Sequence, residues 1–148
     1  MATSYSPAPE VEAIASQLID DYHPDLIGAP ITYVFRTPAA MSGGREVWGK
    51  ARKITGLNAY LAGGPEGADA FLVIEIALDV WEQLTPAKRH ALVDHELSHC
   101  SWDPLEGCST VGHDVEEFAA VISRHGLWTT TLDTFVRAGQ LRLEAEDI

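Results

Sequence analysis

Apolar residues Val11, Ile14, Leu18 and Ile19 recur at spacings of three and four, with Glu12, Asp20 and Asp21 between them. That period gathers the apolar side chains on one helical face and predicts a helix from Pro9 that stops before Pro24. The period then changes. Ile31-Thr32-Tyr33-Val34-Phe35 is a β-branched and aromatic run between Pro30 and Pro38, which predicts a strand. Ser42-Gly43-Gly44 predicts a turn, and Val47 to Ile54 a second, more exposed strand. Gly63 to Gly67 reads as a loop. Phe71 to Ala77 is apolar at every position but Glu75, the pattern of a strand buried on both faces. Its place just ahead of the next helix raises the expectation of an edge strand able to hold an extended peptide.

The second half reads as helical. Asp79 to Leu84 predicts a short helical turn. Thr85 followed by Pro86 is a helix-start signal, because the hydroxyl can cap an orphan N–H and proline lacks the N–H that the first turn leaves unpaired. The helix is expected over Pro86 to Ser101, ahead of Asp103-Pro104. Another is expected from Asp114 to His125, closed by Gly126. The last twenty residues carry a β-branched run and predict a helix passing into a strand. Residues 1–9, rich in Ser, Pro and Ala, read as a flexible arm, leaving residues 10–148 as a single domain. Strands first and helices after predict an α+β domain, a small sheet with helices packed on it.

Composition narrows the function classes. A chain of 148 residues with 46% apolar and 22% charged residues can bury a real core. The net charge of -12 argues against binding nucleic acid by phosphate neutralisation and against a basic membrane surface. The charge is lopsided. Residues 1–60 hold five basic and six acidic groups, and residues 61–148 five basic and sixteen acidic groups. No apolar run reaches the ~20 residues of a membrane span, and the first residues lack the basic and apolar regions of a secretory signal. Cys100 and Cys108 are too few for a disulfide scaffold, so reduced cytoplasm is the expected compartment.

The chemistry concentrates in His95-Glu96-Leu97-Ser98-His99. Residues four apart stack on one helical face, so His95 and His99 can direct two imidazoles at one ion, with Glu96 beside them as general base. Zn²⁺ suits two neutral imidazoles, a third protein ligand and an open position. His113, fourteen residues after His99, is the first choice for that ligand, giving a three-histidine site. Glu117, four residues further, is the second choice, and Asp114 reads as a helix cap or as a partner orienting an imidazole. Cys100 and Cys108 read as small buried hydrophobes, His90 as a surface residue, and His23 and His125 as cations favoured near helix C-termini. Arg45, Lys50, Arg52 and Lys53 beside Trp48 read as a solvated strand face. The acidic half would draw in a divalent cation, and with it basic peptides.

Several blocks in order (APEVEAIASQLIDDYHPDL, GKARKITGLNAYL, FLVIEIALDVWEQL, ALVDHELSHC and GHDVEEF) resemble the phage metallopeptidase domain family of bacteriophages and prophage-bearing bacteria. The resemblance covers most of the chain. It implies a zincin-like fold, in which a small, mostly antiparallel sheet packs against an active-site helix and two or three further helices. It also implies peptidase activity on a peptide or protein substrate in the bacterial cytoplasm. The family's HExxH falls on His95, Glu96 and His99, and its downstream block on His113, Asp114, Glu117 and Phe118. Two other function classes stay open at this point. One is a non-catalytic, zinc-stabilised module that binds a host protein, which would have no need of Glu96. The other is metal-dependent hydrolysis of a non-peptide amide or ester.

Overall fold

The computed structural model describes residues 2–63, 70–114 and 118–146. The chain divides into two compact units, residues 1–111 and 112–148.

The first unit opens with strand β1 (Ser4–Pro7), helix α1 (Pro9–Tyr22) and a 3-10 turn at Pro24–Leu26. Strands β2 (Ile31–Thr37), β3 (Ala40–Ser42), β4 (Arg45–Val47) and β5 (Gly49–Ile54) follow, then helix α2 (Gly56–Ala62). After β6 (Phe71–Ala77) come helices α3 (Leu78–Trp81) and α4 (Pro86–Ser98), and the hairpin β7 (Cys100–Asp103) and β8 (Gly107–Thr110). The main sheet has the order β1-β2-β6-β5. β2 runs parallel to β6, and the other two pairings are antiparallel. The fold is α+β, as the sequence predicts, and consistent with a small zincin-like domain.

Burial explains the layering. On β6, Leu72, Ile74 and Ile76 are fully buried at every second position and share one core with Val11, Ala15 and Leu18 of α1 and Leu92, Val93 and Leu97 of α4. Two amphipathic helices thus cover one face of the sheet, each fully buried aliphatic side chain contributing about 1.5–3 kcal/mol. Trp81 fixes the start of α4. Its ring lies 5.9 Å from that of Phe35 and carries the Arg89 guanidinium at 4.9 Å, while Arg89 Nε donates to its carbonyl at 3.0 Å. Its indole N–H donates to Glu10 at 3.3 Å, which ties the beginnings of α1 and α4 together. At the far end of α1, His23 Nε2 meets Asp94 Oδ1 at 2.6 Å.

Three expectations need correction. β6 is paired on both sides, so it cannot take an added strand; the outer strand on that side is β5. Residues 4–7 of the predicted flexible arm form β1, paired with Val34 to Thr37 of β2. Helix α4 ends at Ser98 rather than Ser101, and Cys100 to Thr110 turns back as the β7–β8 hairpin. The basic strand residues face charge as well as solvent: Arg52 Nε lies 3.7 Å from Glu75, a buried carboxylate of β6 opposite Lys50.

The second unit contains helices α5 (Ala119–His125) and α6 (Thr130–Glu146). Gly126 closes α5 with φ of 70° and its N–H on the Ile122 carbonyl at 2.8 Å, the predicted stop. The predicted start of this helix falls partly on residues 115–117, outside the described residues. Where the sequence predicts a helix-to-strand end, α6 is one continuous helix. Thr129 caps it, accepting from the Leu132 N–H at 3.2 Å. No described helix is long and apolar enough to cross a membrane.

Candidate metal centre

Helix α4 begins where Thr85 accepts a hydrogen bond from the Lys88 N–H at 3.3 Å, with Pro86 in the first turn. Its buried residues Leu92, Val93, Glu96 and Leu97 fix its rotation against the sheet. With that rotation set, His95 and His99 come out one turn apart on the side next to Glu96. Their rings stand edge to face at 5.1 Å between centroids, and one ligand-capable nitrogen of each lies within 4.8 Å of the other.

His99 is held from behind. The Val111 N–H donates to the His99 carbonyl at 2.8 Å, and His99 Nδ1 lies 2.7 Å from the Val111 carbonyl oxygen. A carbonyl only accepts, so Nδ1 carries the proton and Nε2 keeps its lone pair for a ligand bond. A metal-binding histidine commonly has this arrangement, its second nitrogen donating to a carbonyl that fixes tautomer and ring direction. The donor set therefore fits a divalent metal that accepts imidazole nitrogen.

Glu96 is only 3% exposed although it is a carboxylate. Burial pushes its carboxyl above the ordinary 4.5, while His99 pulls in the opposite direction. Its Oε2 lies 4.0 Å from His95 Nε2. On its outer side stands Gly49, the first residue of β5. A methyl group built on Gly49 would come 2.9 Å from Glu96 Oε2 and 3.1 Å from both Cδ and Cγ. The missing side chain at Gly49 leaves the space the carboxylate occupies. Sequence reading missed this residue, yet a lone glycine inside a strand pattern signals close approach of another group. Trp48, Gly49, Lys88, Ala91, Leu92, His95 and Glu96 line a cavity of about 500 Å³. A larger one of about 590 Å³, between the start of α1, β2 and the end of α2, has Glu12 as the one carboxylate and no histidine or cysteine among the described residues that line it.

The remaining predicted residues fall as follows. His113 and Asp114 are exposed and belong to the second unit, two and three residues past Val111. Glu117 lies outside the described residues. Cys100 and Cys108 are free, buried thiols within the core cluster of the first unit. Burial, with Glu96 and Cys108 nearby, pushes the Cys100 thiol up to about 12, so it is protonated and inert. His90 is exposed and lies 2.9 Å from the Pro86 carbonyl oxygen of its own helix. His23 was read from its helix end alone; its partner Asp94, one residue before His95, was not foreseen.

No curated protein and no solved structure matches the chain. One family model does, over residues 3–138, so it takes in β1, the whole sheet, α4 and the His113 segment. A match of that extent, on a chain whose α4 carries a buried carboxylate beside two imidazoles, shows that the chain belongs to the family described as "Putative phage metallopeptidase".

Proposed function

We propose that the chain is a zinc-dependent peptidase acting on a peptide or protein substrate, with His95, His99 and His113 as metal ligands and Glu96 as general base. The observation that carries this reading is the burial of Glu96 between the histidine pair and the Gly49 backbone, at one end of an open cavity. A carboxylate kept in such a place costs stability, and a site that only held a metal would not need it.

When bound, zinc would supply Lewis acidity, polarising a carbonyl and making water acidic enough to attack at neutral pH. The protein's own groups do the rest. Glu96, its basicity raised by burial, takes the proton of the attacking water and later delivers it to the departing amine nitrogen. His99 keeps Nε2 turned to the ligand position because Nδ1 is fastened to Val111. His95 supplies the second imidazole from one turn earlier on the helix.

Chain length supports His113 as the third ligand. Val111 is fastened to His99, and His113 follows it by two residues, a span of at most about 7 Å along the chain. Asp114 remains the candidate for orienting an imidazole and Glu117 the alternative ligand. The test is metal content and peptide hydrolysis in His113→Ala and Glu117→Ala, each purified with zinc. The reading expects zinc and hydrolysis to be lost in His113→Ala and zinc to be kept in Glu117→Ala. Full retention of both in His113→Ala would remove it from the ligand set.

A further inference from the structure

The cavity beside Glu96 has features that proton transfer does not use. Trp48 forms one wall and keeps 47% of its surface exposed. Ala91 and Leu92 form the other, and Lys88 stands two helical turns before His95. Lys88, Ala91, Leu92, His95 and Glu96 are spaced at three and four residues, so the lining runs along one face of α4, from a lysine to the reacting end. Apart from His95 and Glu96, this lysine is the charged side chain among the described residues of the lining.

We propose that this cavity is the specificity pocket for the substrate, receiving a bulky apolar side chain beside the scissile bond and a carboxylate about three residues away at Lys88. This assignment rests on the peptidase reading above. The walls are aromatic and aliphatic, and the volume of about 500 Å³ exceeds what one leucine or phenylalanine side chain fills, leaving room for backbone and a second residue. Seven residues of helix separate Lys88 from His95, about 10.5 Å at 1.5 Å per residue. An extended peptide covers about 3.3–3.6 Å per residue, so three residues bridge that distance. The sign is opposite to that expected from the net charge of -12. Salt screens the general field beyond about 8 Å, whereas a lysine at contact range still discriminates.

The test uses the full chain loaded with zinc and a set of peptides with Ala, Leu or Phe beside the cleaved bond. Each carries Glu, Ala or Lys three residues away, and a further arm offers only a free terminal carboxylate there, with its amide as control. The pocket predicts that Phe and Leu are cleaved roughly tenfold or more faster than Ala, the span of an apolar pocket. It predicts about two- to fivefold preference for Glu over Lys, the range of an exposed ion pair. The terminal-carboxylate arm tells whether an acidic side chain or a chain end is the natural partner. Lys88→Glu should invert the Glu/Lys order, and Ala91→Phe, which fills the pocket from an exposed position, should shift preference to Ala. Calorimetry with a Phe-bearing peptide hydroxamate gives a binding readout independent of turnover. Cleavage indifferent to both positions and unchanged in both variants would overturn the pocket and leave the peptidase reading standing. Hydroxamate binding that weakens in both variants, with no peptide cleaved by the parent chain, would support the pocket and overturn the peptidase reading. Neither binding nor cleavage would overturn both.

Discussion

Gly49→Ala isolates the contact on which the proposed general base depends. The added methyl would sit 2.9 Å from Glu96 Oε2 and 3.1 Å from Cδ and Cγ, against ordinary carbon contacts of about 3.5–4.0 Å. Glu96 must therefore give way by several tenths of an ångström. It has little room, since Val93 and Leu97 on the same helix are fully buried. Overpacking of this kind costs about 1–3 kcal/mol, a fall in melting temperature of several degrees for a chain of this size. The assay is a double-mutant cycle on metal-free protein, with unfolding measured for the parent, Gly49→Ala, Glu96→Ala and the double variant. Removing the Glu96 side chain removes the obstacle, so Gly49→Ala should be nearly neutral in the Glu96→Ala background, a coupling of about 1–3 kcal/mol. In the zinc-loaded parent background, Gly49→Ala should also lower kcat while zinc content and KM hold. An equal loss of stability in both backgrounds would refute the claim that the glycine makes room for the carboxylate.

Other consequences concern titration, thiols and the helix tie. Because burial raises the Glu96 carboxyl above 4.5, the folded metal-free protein keeps that proton to higher pH than the unfolded chain does. The stability this group contributes is therefore full below that value and is lost as pH rises through the folded pKa. Glu96→Gln should accordingly be more stable than the parent at about pH 8 and no more stable near pH 4, read by urea unfolding. Cys100, pushed up to about 12, and Cys108, also raised by burial, should resist thiol reagents at pH 8 until the protein unfolds; rapid native labelling of Cys100 would contradict its placement. His23→Ala removes the 2.6 Å link to Asp94 on α4 and should cost about 1 kcal/mol, since Asp94 is half exposed. No loss in denaturant unfolding would mean that the pair does not tie the helices.

Elements with strong local signals were legible in the sequence. Thr85-Pro86 marks the start of α4, and the unbroken apolar run marks β6, because a cap and a buried strand are written in adjacent residues. What escaped depends on distant partners. Ser4 to Pro7 looks like a loose arm until β2 lies beside it. Cys100 and Ser101 continue a helical reading until Val111 returns to pair with His99 and ends the helix early. Helix α2 buries only Ala59, so its apolar stripe is too thin to read, although Gly63 closes it in a left-handed conformation. The candidate site divides the same way. His95, Glu96 and His99 follow from spacing alone, whereas Gly49 against Glu96 joins residues 47 positions apart and needs the packed sheet and helix.

The central claim is that Glu96 is the base of a zinc peptidase. The most direct measurement compares the parent chain with Glu96→Gln, both with zinc content determined, for the release of new amino termini from a protein or peptide mixture. One zinc per chain is expected in both, and new termini with the parent alone. Cleavage by zinc-loaded Glu96→Gln at the parent's rate would contradict it.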